Sequence, residues 1–396
     1  MTLTLRPHQQ TGVDILKTSI KGQIIVPTGG GKTIIGILDA KDRFDQTPHP
    51  INIIVVAPRI LLAEQLCSEY LEFITNNNVH VAHVHSGETS HFRSTKASEI
   101  ELFTKTANAA GEHTLIFTTY HSLHRVVEAG VRADTVICDE AHNSVQRHFF
   151  PAVEHYSAQS ERIFFYTATR KTSVTINKPG MNDVEVYGEI IHRVPAPELV
   201  KGGYILPPKV KVIDMNQIPA KAVTPCIDRD NILETIKQID IKKILVCVKT
   251  SKQLINLMQT DFADRIAHQG YSYLYITAKT GAIIDGRKVS RDEFFRTLNA
   301  WGQDDNKKFI CLHRSILSEG INVKQLEAVV FLRNMDIIEM TQTIGRVLRK
   351  GGESKTYGLC VVPSYTKVGI ATEKAIQRCV DIVFEKGEIL DSVVRR

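Results

Sequence analysis

Gln23-Ile24-Ile25-Val26-Pro27-Thr28-Gly29-Gly30-Gly31-Lys32-Thr33-Ile34-Ile35 is the stretch of this 396-residue sequence that decides its fold. The run Gln23 to Val26 has the length and composition of a buried strand, and Ile34 to Ala40 reads as a helix. Between them Thr28, Gly29, Gly30 and Gly31 form a turn whose glycines let successive backbone N–H groups face inward, with Lys32 and Thr33 at the helix start. This is a phosphate cradle: the helix N-terminus adds its positive dipole end, Lys32 a full charge and the Thr33 hydroxyl a magnesium ligand. The general motif opens on Gly where this sequence has Val26, so the reading rests on Gly31-Lys32-Thr33 and its strand-to-helix setting. The cofactors it implies are ATP and Mg2+.

Outward from that loop, short apolar runs alternate with helical patterns. Asn52 to Val56, Val79 to His85, Thr114 to Phe117, Thr135 to Cys138 and Arg162 to Tyr166 read as strands. Continuously apolar strands such as Ile53 to Val56 need cover on both faces, which predicts an α/β fold with parallel sheets flanked by helices. Proline and glycine crowd the interval from Lys178 to Pro208. A second alternation follows, with strands near Ile244 to Val248, Tyr271 to Ile276, Lys308 to Leu312, Ala328 to Leu332 and Thr356 to Val362, then a helical stretch from Lys367 to Lys386. The expected division is a nucleotide-binding domain at 1–195, a junction at 196–222 and a second domain at 223–396.

Composition narrows the class without naming it. Hydrophobic residues make up 43% and charged residues 23%, ordinary for a globular protein, and no apolar run approaches the roughly 20 residues that span a bilayer. The start, Met1 to Arg6, lacks the pattern of a secretory signal, and the seven cysteines include no CxxC pair. An intracellular, soluble chain with reduced thiols and no membrane partner is expected. The net charge of +6 suits a polyanionic partner.

A second magnesium contact is expected from another strand end, and the strand Thr135 to Cys138 runs into Asp139-Glu140-Ala141-His142. Parallel sheets bind ligands at this carboxyl edge. Asp139 is placed there to contact the metal, and Glu140 to orient and deprotonate the attacking water. Gln342, Arg346 and Arg349 lie at i, i+4 and i+7, spacing that predicts one face of a helix.

With these residues the sequence resembles the superfamily 2 helicases over nearly its whole length, its motifs in the family's order. Leu5-Arg6-Pro7-His8-Gln9 looks like the adenine-reading element, in which Arg6 and Gln9 belong to the nucleotide site. Ala57-Pro58-Arg59 and Thr118-Thr119-Tyr120 look like strand-contact motifs of the first domain. Thr167-Ala168-Thr169, with His142, resembles the coupling of hydrolysis to domain movement. In the second domain Val248-Lys249-Thr250 and Ser315 to Val323 take the places of further motifs, and Gln342 to Arg349 closes the set. The resemblance implies two tandem RecA-like domains with ATP in the cleft between them. It assigns Gln342, Arg346 and Arg349 to the water and γ-phosphate, Gly320 to the nucleotide, and Arg59, Thr119, Lys249, Thr250 and Ser315 to the nucleic-acid backbone.

The final motif and Asp139-Glu140-Ala141-His142 look most like the group that holds UvsW-like and XPB-like translocases and type III restriction motors. That favours DNA over RNA and a monomer working with replication or recombination proteins. The compact length fits a pared-down viral or phage enzyme. The competing readings are an RNA helicase and an ATP-switched nucleic-acid-binding scaffold. His80, His83 and His85 read as part of a half-exposed strand rather than a metal site, Trp301 as a core residue, and no strand-separating pin is evident.

Overall fold

The computed structural model describes residues 4–175, 178–214, 224–239, 241–277, 279–314, 325–332, 336–351, 355–364, 367–389 and 391–393. The chain divides into two compact units: Met1–Val194 together with Ile389–Arg396, and Pro195–Glu388.

The first unit is built on β1 (Lys21–Ile25), β2 (Asn52–Ala57), β3 (Val79–Val84), β4 (Phe92–Arg93), β5 (His113–Thr119), β6 (Thr135–Cys138), β7 (Arg162–Thr167), β8 (Lys171–Thr172) and β9 (Ile190–Arg193). All but β8 form one sheet, in the order β4-β3-β5-β2-β6-β7-β1-β9, and every pairing in it is parallel. β2, β5 and β7 are buried along their whole length, the consequence of helices on both faces. Ile54, Val56, Ile116, Val136 and Phe165 bring the strands together in one core cluster.

The second unit repeats the plan with β10 (Pro208–Asp214), β11 (Lys243–Cys247), β12 (Ser272–Thr277), β13 (Gly281–Ile284), β14 (Arg287–Val289), β15 (Phe309–His313), β16 (Ala328–Phe331) and β17 (Gly358–Ser364). The order is β10-β17-β16-β11-β15-β12-β13-β14, parallel except where the hairpin β13–β14 adds to β12. Asp285 and Gly286 join that hairpin with φ of 44° and 81°, the two positive values of a type I′ turn. Ile244, Val246, Ile310, Leu312 and Val330 centre its core. β18 (Ser392–Val393) pairs with β8 and so belongs to the first unit.

Two expectations need correction. His83 and His85 are buried rather than half exposed: one ring hydrogen-bonds the other, Nδ1 to Nε2 at 2.9 Å, and burial holds both pKa values down at about 4, so the pair is neutral. Trp301 is partly buried rather than a full core residue: its ring packs beside the buried Phe309, with centroids 5.8 Å apart, and the Lys307 ammonium lies 4.3 Å over it. Among the described residues no helix is long and apolar enough to cross a membrane.

Candidate active site

Because the first sheet is parallel, the segments leaving β1, β2, β5, β6 and β7 emerge at one edge. The glycine-rich loop follows β1, Arg59 follows β2, Thr119 closes β5, Asp139 follows β6 and Thr167 closes β7. In the sheet β6, β7 and β1 are consecutive, so the acids and the loop stand two strand spacings apart, about 10 Å.

Lys32 bridges that gap. Its Nζ lies 2.5 Å from Glu140 Oε1 and 3.6 Å from Asp139 Oδ1, with all three side chains largely buried. Successive residues of an extended strand point to opposite faces. Glu140 instead takes φ 45° and ψ 52°, the left-handed region, and this turn brings its carboxylate to the same cation as Asp139. Holding a non-glycine residue there costs about 1–3 kcal/mol, which the surrounding bonds must offset. Asp139 N donates to Val56 O at 2.8 Å, and Tyr120 Oη to Asp139 O at 2.8 Å. Burial raises the Asp139 pKa to about 6, against the pull of Lys32.

The loop is shaped from behind by the start of the helix Pro7–Thr18. Arg6 Nη1 donates to Gly29 O (3.2 Å) and Gly30 O (3.4 Å), His8 Nε2 bonds Gly30 O (2.8 Å), and Gln9 Nε2 donates to Gly31 O (3.2 Å). In a trans peptide the N–H points opposite to the carbonyl. Holding the Gly30 and Gly31 carbonyls toward Arg6, His8 and Gln9 therefore turns the Gly31 and Lys32 N–H groups the other way. Thr28 Oγ1 is buried and has no hydrogen-bond partner among the described residues. Loop amides, a lysine, two threonine hydroxyls and one carboxylate make a donor set that fits a magnesium-bound polyphosphate, since Mg2+ takes one or two protein oxygens and fills its shell with phosphate and water.

β7 links the two halves of this site. Val26 N donates to Thr167 O at 3.1 Å, and the Thr167 hydroxyl donates to Thr169 O at 2.7 Å while accepting from Thr169 N. That hydroxyl has one proton, already used, so its 3.0 Å contact with His142 Nδ1 requires Nδ1 to be the donor. His142 Nε2 then accepts from Asn143 Nδ2 at 3.1 Å, and the same amide nitrogen donates to Glu140 O at 3.0 Å. Sequence reasoning assigned His8 and Asn143 no role, although each adjoins a residue it singled out.

Of the backbone-contact candidates, Arg59, Lys249 and Thr250 are exposed and Thr119 is buried. Arg59 and Thr250 are the N-cap residues of Ile60–Leu71 and Ser251–Met258, and the Thr250 hydroxyl accepts from Gln253 N at 3.0 Å. Ser315 and Gly320 lie outside the described residues. Gln342 and Arg346 are buried on the helix Ile337–Val347, but Arg349 does not continue their face. The helix stops at Val347, and Arg349 sits in the bend beyond it, where the chain turns back toward β17.

Tandem α/β units, the first opening on a lysine-bearing phosphate loop, define the class of RecA-like ATP-hydrolysing motors. Residues 2–172 match the family described as "Type III restriction enzyme, res subunit", and residues 227–351 match the "Helicase conserved C-terminal domain". The chain belongs to the superfamily 2 helicases, in the group of the type III restriction motors. Similar solved structures include the ATP-dependent Type ISP restriction-modification enzyme LlaBIII bound to DNA, with a TM-score of 0.75 and 17% identity over 99% of this chain and 31% of that one. A nuclease-deletion mutant of the Type ISP enzyme LlaGI, in complex with a DNA substrate mimic, gives a TM-score of 0.70 and 19% identity over 96% of this chain and 29% of that one. A fragment of an HsdR subunit of a type I restriction enzyme from Vibrio vulnificus gives 0.62 and 14% identity over 98% and 68%. The chain thus spans less than a third of the first two. No curated protein matches it.

Proposed function

We propose that this chain is an ATP-driven DNA translocase that moves along or remodels duplex or branched DNA. The observation that carries the reading is the Lys32 ammonium, held by Glu140 and Asp139 at the mouth of the glycine-rich loop. A cation bridging loop and acids is poised to exchange a carboxylate for the phosphates of an incoming nucleotide. Thr33 and Asp139 would hold Mg2+, which would supply neutralisation of phosphate charge there. Arg6 and Gln9 are assigned to the adenine, and Gly320 to the nucleotide. Thr28 and the loop N–H groups hold phosphate oxygens. Glu140, released from Lys32, takes the proton of the attacking water. Gln342 orients that water, and Arg346 and Arg349 stabilise the charge that spreads over the γ-phosphoryl oxygens. His142, Thr167 and Thr169 relay the state of the γ-phosphate along β7.

Arg59, Thr119, Lys249, Thr250 and Ser315 are proposed to grip the phosphate backbone, which makes binding weaken as salt rises. Support for DNA comes from the net charge of +6 and from the two Type ISP relatives, whose structures hold DNA or a DNA mimic.

The test is steady-state ATP hydrolysis without nucleic acid and with single-stranded DNA, duplex DNA, a four-way DNA junction and RNA, alongside Lys32→Ala. Stimulation by duplex or branched DNA that Lys32→Ala abolishes is expected. Stimulation by RNA alone would transfer the assignment to RNA remodelling. No turnover with any of them would overturn the motor reading in favour of an ATP-switched scaffold.

A further inference from the structure

Lys355 lies outside every motif singled out above, yet it is tied to the last of them. Its Nζ donates to three backbone carbonyls: Leu326 O at 2.5 Å, Val347 O at 2.7 Å and Arg349 O at 2.7 Å. An ammonium has three N–H donors, and here each has an acceptor. Val347 ends the helix that carries Gln342 and Arg346. A helix leaves its last carbonyls without partners inside the helix, and its negative dipole end favours a cation there. The carbonyl between the two that Lys355 holds, Leu348 O, accepts from Leu206 N at 2.7 Å. Three successive carbonyls, those of Val347, Leu348 and Arg349, are therefore anchored to parts of the second unit outside the helix. Arg346 stands immediately before this clasp and Arg349 within it. The bond to Leu326 O fixes the clasp to the segment leading into β16, part of the sheet itself.

We propose that Lys355 is a positioning residue for the arginine pair, setting the backbone from which Arg346 and Arg349 reach the γ-phosphate. The inference rests on the reading of those arginines given above. Charge-assisted bonds from a partly buried ammonium are short and stiff. Without them the turn after Val347 is free to unwind, and a displacement of about 1 Å at a catalytic group costs on the order of a hundredfold in rate. Burial lowers the Lys355 pKa to about 8, Lys243 and Arg349 add to the lowering, and Glu327 opposes it. The neutral amine has two donors for three carbonyls, so the clasp loosens as pH rises through that value.

The test is DNA-stimulated ATPase of the full chain, from about pH 6.5 to about pH 9.5, for wild type, Lys355→Met and Lys355→Arg, with Arg346→Ala and Arg349→Ala as controls. Lys355→Met is expected to lower kcat about tenfold or more with KM for ATP little changed, because ATP binds through the loop of the other unit. Lys355→Arg is expected to retain most of the activity and to lose the wild type's alkaline limb near pH 8, since arginine stays charged. Wild-type kcat in Lys355→Met, with both arginine variants inactive, overturns the inference and leaves the arginine reading intact. Full activity in both arginine variants overturns that reading itself. If Lys355→Met does not fold, the pH profile of Lys355→Arg decides: an alkaline limb identical to wild type overturns the inference.

Discussion

A methyl group added at Gly31 would sit 2.3 Å from Gln9 Nε2, on a residue whose φ is +81°. The two penalties are separable. Gln9 is a flexible side chain and can withdraw, but the left-handed backbone costs an L-residue about 1–2 kcal/mol wherever its neighbours go. Gly31→Ala is therefore expected to raise KM for ATP about tenfold, and because Gln9→Ala alone also weakens ATP binding, the double variant is compared with that single one and is expected to be worse than it. A double variant no worse than Gln9→Ala alone would show that crowding, not backbone geometry, shapes the loop. Arg162 supports the helix that leaves the loop. Its guanidinium makes paired bonds to Asp39 at 2.7 and 3.0 Å and a third to Leu16 O at 2.6 Å, joining both helices around the phosphate loop to β7. The Asp39 pKa is nevertheless raised, because burial outweighs the arginine.

Among the elements, the hairpin β13–β14 gives a second separable case. At Gly286 an added Cβ would meet only Tyr273 Oη, at an ordinary 3.4 Å, so Gly286→Ala pays for conformation alone. The expected loss is about 1–2 kcal/mol, read as a lower urea midpoint of the second unit. An unchanged midpoint would mean that the turn is not needed to hold the edge of the sheet. The Asp-Gly pair between alternating residues was a readable hairpin signal that sequence analysis passed over. What it did read, the loop after β1 and the acids after β6, lies where strong local chemistry coincides with a fully buried strand. β9 and β10 were harder because they are edge strands amid prolines and glycines. Pro208 opens β10, where a missing N–H does little harm, so a proline-rich interval taken for a junction holds a strand. The position of Arg349 was illegible for another reason. Helical spacing from Gln342 continues past Val347 on paper, and the carbonyls at the helix end and just past it are bound instead by Lys355 and Leu206, of which Leu206 is distant in sequence from the residues that set the pattern.

Over the whole molecule, the second unit is a single continuous segment inserted into the first, which resumes with β18 against β8. The two ends of the insert are neighbours: the helix Ala196–Lys201 packs on the π-helical turn Val380–Glu385. Pro195–Glu388 made alone is expected to fold and to unfold cooperatively in urea, because it has its own sheet and core. Residues 1–194 made alone lack the strand that pairs with Lys171 and Thr172, and should lose about 1 kcal/mol for each backbone bond forfeited. Circular dichroism with and without residues 389–396 joined to that piece measures the difference, and equal midpoints would show that β18 contributes nothing. The same interruption sets a timetable during synthesis. At about 5–20 residues per second, a ribosome spends about 10–40 s making the insert before β18 emerges. For that interval the nascent first unit exposes the Lys171–Thr172 edge without its partner, an open template for any passing strand.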